Sequence, residues 1–504
     1  MATKDIAIAC QGGGSHAAFT AGVLPALLGE FDNLALAHAR PGPAAYREAG
    51  TEGGMEAPVL AAISGTSGGA ISALLGWYGF ITGGPAEARH RLDAFWDSNA
   101  ATHAIEASLN HFWRAMSDAA AMFGLDVKSS PYVYPMQSFE FFNTAVWPLI
   151  ARSLGPDNPY MRPDYFTLPR LLLPSVDWQL IHAYGDFAGV PLEVQRWLRS
   201  DLEAQMFPPE APCQQRYRNE RAAIEQRITD KLGAASRVLS RMDELSIGEN
   251  ALLRAAFGRW QPPTVRFEQG ALEALARSVQ AVTRCIPHLL IGAVELHEGD
   301  FVAFSSERAP DDGGISLPAV LASASVPWLF RARAVKGTDP ETLERRDMML
   351  WDGLFSQNPP VRDFLSGVLD EAKKPDEIWV IQINPSQAKV EAVKAGIAKR
   401  ANAAGHSVAG ELVMRGGEIW DLRNALAGNL ALNQEIGFVE AINRRMEACP
   451  GRTATAKTAA RRHGPPAGAT SWCRSTASSW TATRSKPRPA STWAPTRNST
   501  ATPA

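Results

Sequence analysis

The chain has 504 residues, 45% of them hydrophobic, with 52 acidic against 50 basic side chains and a formal charge of −2. That length gives ample core for several domain-sized units or one elaborated α/β domain, and near-neutrality gives no general reason to expect nucleic acid or an anionic membrane as partner. The five cysteines, Cys10, Cys213, Cys285, Cys449 and Cys473, are scattered and form no CxxC pair, which argues against a disulfide framework or a zinc site and fits a reducing cytosol.

The chain opens "MATKDIAIACQGGG". Its apolar run is short, follows Asp5 and ends in glycines, so it lacks the basic start and long apolar centre of a secretory signal. Residues 4–30 read as strand, glycine turn and helix, with Pro25 expected to kink or stop the helix. Residues 33–55, rich in Ala, Gly and Pro, read as a surface loop. Residues 57–84 repeat the strand–turn–helix pattern. The run from Ala57 to Ala86 carries no charge and is long enough to cross a bilayer, which takes about 20 residues. Pro58 and seven glycines (Gly65, Gly68, Gly69, Gly76, Gly79, Gly83, Gly84) give it another texture. "PVLAAISG" reads as a buried parallel strand and "AISALLGWYGF" as a buried helix. Alternating strand and helix implies an α/β fold, three layers around a mostly parallel sheet.

From 86 to 280 aromatic, proline-rich and charged helical stretches alternate over too great a length for a simple connection. This segment is expected to be a mostly helical insertion or cap, serving as scaffold or as lid. Within it, the aromatic stretch 112–150 suits either core packing or an acyl-chain groove and interfacial surface. Strand signals resume at "HLLIGAVEL" and "DFVAFSS", expected to pair through "HEG", and again at "DMMLWDG" and "EIWVIQIN"; a long helical segment is expected from about 400 to 448. Residues 451–504 contain no Asp, Glu, Ile, Leu, Val, Met, Phe or Tyr and hold nine of the basic residues, leaving 41 basic against 52 acidic before them. Such a tail cannot bury enough apolar surface to order itself; it reads as disordered, as a frame-shifted end, or as a basic arm for anionic partners.

Gly65-Thr66-Ser67-Gly68-Gly69 matches G-x-S-x-G between a strand and a helix. A serine on that tight turn is lifted above the sheet, where it is expected to be exposed for chemistry; Gly65 and Gly69 permit the close backbone approach. The bland alternative is an unreactive glycine turn. Gly12-Gly13-Gly14 follows the first strand and suits an oxyanion hole built of backbone N–H groups. A dinucleotide loop is the rival, but Ala17 stands where the last glycine of G-x-G-x-x-G belongs, and no P-loop motif occurs. A nucleophilic serine needs a base. His406, in "NAAGHSVAG", and Asp352, at the end of a predicted strand before Gly353, are the candidates; Asp352 is also explicable as a turn former.

Four blocks in order, "GGGSHAAFTAGVL", "GTSGG", "ASASVPWLF" and "DGLFSQNPP", make the chain resemble the patatin-like phospholipases over residues 5 to about 385. The resemblance implies a patatin-like three-layer α/β/α fold with a large helical insertion. Residues 1–85 and 281–450 would be the two parts of the catalytic domain, 86–280 the insertion or cap, and 451–504 the unmatched tail. It further implies hydrolysis of lipid acyl esters by a Ser–Asp dyad without a metal or other cofactor: Ser67 the nucleophile, Asp352 the base, and the loop Gly12, Gly13 and Gly14 the oxyanion hole. The substrate would be a lipid or other hydrophobic ester, with peripheral membrane contact as one setting; the cysteine usage points to a cytoplasmic location and the charge balance to no nucleic-acid partner. The chain departs from the family pattern at His16 and Ala17, where a basic residue and a glycine are usual, and at Leu354 after Asp-Gly. His16 is open to two readings, a source of positive charge or a helix cap. A Ser–His–Asp esterase or polyester depolymerase using His406, and a catalytically silent membrane-surface protein of the same fold, stand as alternatives.

Overall fold

The computed structural model describes residues 3–38, 57–99, 171–206, 213–258, 265–326, 332–338, 345–368, 373–383 and 416–447, with a few single positions and residues 481–482 besides. Its centre is a sheet of eight strands. β1 (Thr3–Cys10) lies between β2 (Ala57–Thr66) and β7 (Glu377–Ile381), parallel to both, and β3 (His288–Glu295) adds in parallel to β2. β4 (Phe301–Ser305) folds back antiparallel on β3, the hairpin expected across "HEG". β6 (Arg345–Asp352) also pairs antiparallel with β3, and β5 (Arg333–Thr338) pairs with β6. A two-residue strand, β8 (Thr481–Ala482), runs beside β7; the rest of 451–504 lies outside the described residues. The fold is thus mixed α/β with a mostly parallel central sheet.

The alternation along β1 assigns the two faces. Ile6, Ile8 and Cys10 enter one core, while Ala7 and Ala9 enter another, as the period of two in a strand requires. The first core is covered by α1 (Ala18–Leu28) and α3 (Gly68–Asn99), through Leu24, Leu28, Leu74 and Leu75. The second is covered by α11 (Gly416–Glu447), whose Leu432 and Val439 meet Ala7, Ala9, Ala62 and Leu290. Each such wholly buried aliphatic side chain contributes about 1.5–3 kcal/mol. Pro25 sits inside α1, which ends one turn later at Leu28. α3 runs straight through the uncharged stretch and breaks at Gly84, whose φ is +77°, with Pro85 next in the chain. Among the described residues no helix is long and apolar enough to cross a membrane. The uncharged run is a strand followed by a helix, wrapped in protein on both sides.

Part of the stretch expected to be a surface loop is structured. α2 (Asn33–His38) follows α1, and Asn33 is buried. Its side chain donates to the carbonyl of Leu60 and accepts from the N–H of Leu60, both at 2.9 Å, where the pairing of β1 and β2 slips by one residue. An Asx side chain satisfying a bulge is a tertiary event with no local sequence signal.

Between β2 and β3 stand α4 (Trp178–Ala188), α5 (Val190–Gln205), α6 (Cys213–Leu232), α7 (Ala234–Glu244), α8 (Leu252–Phe257) and α9 (Gln269–Thr283). Their buried residues share one core with α1 and α3. The Tyr184 ring packs 6.1 Å from that of Trp77, and the buried indole of Trp77 donates to the carbonyl of Pro287 at 2.6 Å. The aromatic stretch 112–150 lies outside the described residues.

Candidate active site

β2 ends at Thr66, α3 begins at Gly68, and Ser67 between them has a φ of +58°. A non-glycine residue in that left-handed region is strained and persists only where its surroundings hold it. Here the carbonyl of Ser67 accepts from the N–H groups of Ala70 and Ile71. Its N–H donates to Oγ of Ser323 at 3.0 Å, and that hydroxyl donates on to the carbonyl of Gly292 at 2.6 Å. Ser323 ends α10 (Leu317–Ser323) and is wholly buried. A Cβ on Gly69 would overlap the carbonyl oxygen of Cys10 and stand 2.7 Å from that of Gln11, and one on Gly65 would overlap the Gly69 carbonyl. Both glycines of the motif are required by space.

The register of β3 explains how Asp352 reaches this turn. β2 pairs with β3 from His288 to Gly292, and β6 pairs with it from Ala293 to Glu295. β4 pairs along Leu290–Val294, overlapping both, so it occupies the opposite edge. β2 and β6 therefore share one edge of β3, end to end. Thr66 is opposite Gly292 and Asp352 is opposite the next residue, Ala293. The residue after Thr66 and the last residue of β6 are thereby driven together. The N–H of Asp352 is held by the carbonyl of Ser325 at 3.0 Å.

Asp352 is wholly buried. Burial pushes its carboxyl up to about 7; hydrogen bonding from the Ser67 hydroxyl and the Leu354 N–H pulls the other way. The Leu354 N–H meets Oδ1 at 2.8 Å. Oδ2 has no fully formed bond, so the Ser67 hydroxyl is near enough to favour the charged form without being tightly aligned. Looseness of this kind is common before substrate arrives. Ser67 is only 4% exposed, against the expectation of an open nucleophile. The cause is the glycine loop, which lies on the elbow: a Cβ on Gly12 would overlap the Thr66 carbonyl and stand 2.8 Å from the Ser67 Cβ.

Gly14 turns the chain with a φ of +60° and is exposed, and Gly13 is half-buried. Among the described residues nothing accepts from the N–H of either. The N–H of Gly12 differs: it donates to Oδ1 of Asn358 at 2.6 Å. The expectation that all three N–H groups line an oxyanion hole therefore holds at most for Gly13 and Gly14, because a side chain already occupies the first. His16 is exposed and its Nδ1 lies 3.3 Å from the Gly13 carbonyl. α1 is capped by Ala17 with no side-chain bond, so His16 is not its cap. His406 lies outside the described residues. Among the described residues no group of three or more His, Cys, Asp or Glu side chains is placed to hold a metal ion.

Sequence reasoning missed Ser323, Gln357 and Asn358. Thr66 Oγ1 donates to the Gln357 carbonyl at 2.6 Å, so the segment just after Asp352 grips the strand just before Ser67. "QNPP" signals only a turn before proline, and "ASAS" only small residues.

No protein-family model matches the chain, and no curated protein matches it. Among solved structures it is similar to VipD from Legionella pneumophila, at 14% identity and a TM-score of 0.19. The match covers 70% of this chain and 46% of VipD, so the chain spans under half the length of that protein.

Proposed function

We propose that this chain is a serine acyl hydrolase of the patatin-like type, cleaving carboxylic ester bonds of lipids with Ser67 and Asp352. The observation that carries the reading is the approach of a strained, positive-φ serine to a wholly buried aspartate whose carboxyl titrates near 7. A carboxylate tuned toward neutral pH is suited to take a proton and return it. The four motif blocks named above support the same assignment.

In the first half-reaction Asp352 takes the hydroxyl proton as Ser67 Oγ bonds to the ester carbonyl carbon. The C=O electron pair moves to oxygen, and the N–H groups of Gly13 and Gly14, with that of Gly68 at the helix start, face the resulting oxyanion. Collapse restores C=O and breaks the bond to the alcohol oxygen, which leaves with the proton from Asp352. In the second half, Asp352 takes a proton from water as the water oxygen attacks the acyl carbon. Breakdown releases the fatty acid, and Ser67 regains its proton from Asp352.

A panel of phospholipid, acylglycerol and short-chain esters tests this with wild type, Ser67→Ala and Asp352→Asn, alongside labelling by a fluorophosphonate. The expected result is turnover in wild type alone and labelling lost with Ser67→Ala. Turnover retained by both variants, or labelling that survives Ser67→Ala, overturns the assignment.

A further inference from the structure

We infer that Asn358 is a positioning residue that clamps the glycine loop, aiming Gly13 and Gly14 at the reacting carbonyl while withdrawing Gly12 from it. Its function as stated rests on the hydrolase reading above; the clamp itself does not.

Asn358 is wholly buried. Its Oδ1 accepts the Gly12 N–H at 2.6 Å, and its Nδ2 donates to the Gly12 carbonyl at 3.2 Å. An amide side chain thus pairs with both polar groups of one residue, as a neighbouring strand would. The residue it grips cannot move toward the elbow, since Gly12 already touches Thr66 and Ser67. Nor can the loop lift freely, since that would strand two buried polar groups on each partner. On the far side, a Cβ on Gly68 would stand 2.6 Å from the Gly14 carbonyl and 2.8 Å from Ala17 Cβ. The loop is therefore seated against the residues on both sides of Ser67, and Asn358 holds its Gly12 end, beside Gln11, whose Oε1 accepts the Ile383 N–H.

The same segment makes the connection to the base. Asp352 begins it, the Gln357 carbonyl holds Thr66 Oγ1, and Asn358 holds Gly12. One short stretch thus sets the base, the nucleophile's strand and the oxyanion loop relative to one another. Small errors in that relation are costly, because a displacement of about 1 Å can lower a rate by about a hundredfold.

Hydrogen exchange followed by mass spectrometry reads the clamp without turnover. In Asn358→Leu, peptides covering residues 8–14 should lose protection, while Asn358→Asp, which keeps the acceptor for Gly12, should retain most of it. Equal protection in wild type and Asn358→Leu overturns the clamp, whether or not the protein hydrolyses esters. On an ester that wild type turns over, Asn358→Leu should lower kcat by about ten- to a hundredfold with little change in KM. Its affinity for a trifluoromethyl ketone, which forms an oxyanion on Ser67, should fall in parallel, and Asn358→Asp should recover part of both. A KM that rises as kcat is held, or a ketone affinity unchanged by Asn358→Leu, overturns the positioning role. Absence of wild-type turnover refutes the hydrolase reading and leaves the exchange result to decide the clamp.

Discussion

The backbone N–H of Ser67 and the hydroxyl of Ser323 meet at 3.0 Å, and the same hydroxyl donates to Gly292. The hydroxyl is thus both acceptor and donor in a wholly buried setting. Ser323→Ala leaves the Ser67 N–H and the Gly292 carbonyl without their partner. The expected cost is about 1–3 kcal/mol of stability, with a kcat lowered at least about tenfold as the elbow relaxes. Denaturant unfolding and ester kinetics on one preparation check both.

Activity should follow the ionisation of Asp352. As the proposed base it must be charged, and burial holds its carboxyl up to about 7. The rate should therefore rise as pH increases through about 7 and level off above. A kcat/KM profile from pH 5 to 9 measures this, and a limb near the ordinary aspartate range would exclude Asp352 as the titrating base.

The same shift bears on stability with the opposite sense. The folded pKa lies above the ordinary 3.8, so the stability owed to the neutral carboxyl is complete below that value. It is lost as pH rises through about 7. The loss accrues between those two values and is on the order of a few kcal/mol in all. Asp352→Asn, neutral throughout, should be more stable than wild type at pH 8, with the gap shrinking toward pH 4. Thermal unfolding at a series of pH values reads the trend.

Gly69→Ala should abolish activity and destabilise the fold. The new methyl group overlaps the Cys10 carbonyl oxygen, backbone that can shift only by parting the β1 loop from the elbow. Overpacking of this kind costs about 1–3 kcal/mol or more. Circular dichroism melting with fluorophosphonate labelling distinguishes a folded, unreactive protein from an unfolded one.

Outside the site, Glu193 is wholly buried among three cations: Arg196 at 2.9 Å, Arg227 at 3.0 Å and Lys231 at 3.2 Å. Burial alone would raise its pKa, but Lys231, Arg196 and Arg227 together hold it below the usual range. Arg196 also bridges to buried Asp312 at 2.8 Å, tying α5 to the segment after β4. Glu193→Gln should destabilise by about 3–5 kcal/mol near neutral pH, because buried Lys231 loses its carboxylate and Arg196 keeps only Asp312. A depressed carboxylate gives stability that is present above its ordinary pKa and lost as pH falls, so the variant's deficit should narrow in acid. Urea unfolding at pH 7 and pH 4 compares the two.

Much of this was legible in the sequence because it is local. "PVLAAISG", "HLLIGAVEL", "DMMLWDG" and "EIWVIQIN" signal their strands by short apolar runs with turn residues at the ends, and "GTSGG" signals the elbow by spacing. What depends on distant partners was not. Nothing around Gly12 reports that its N–H is taken by a residue far along the chain. Nothing around Ser67 reports that it is only 4% exposed, since the covering loop precedes it by some fifty residues. Asn33 carries no local sign of structure because its partner is the backbone of Leu60. Residue type and period forecast elements and the elbow turn; the fit between loops emerges only when the sheet brings them together.

The end-to-end seating of β2 and β6 on one edge of β3 also sets a timetable. Ser67 and the strand that leads to it are made early, but the seat on β3 and the carboxyl of Asp352 come only after the whole helical segment between them. At about 5–20 residues per second of synthesis, that interval is roughly 15–60 s. Throughout it the nascent chain holds Ser67 without Asp352 or Asn358. The proposed hydrolase is thereby without its base and its loop clamp until that later stretch of chain has been made.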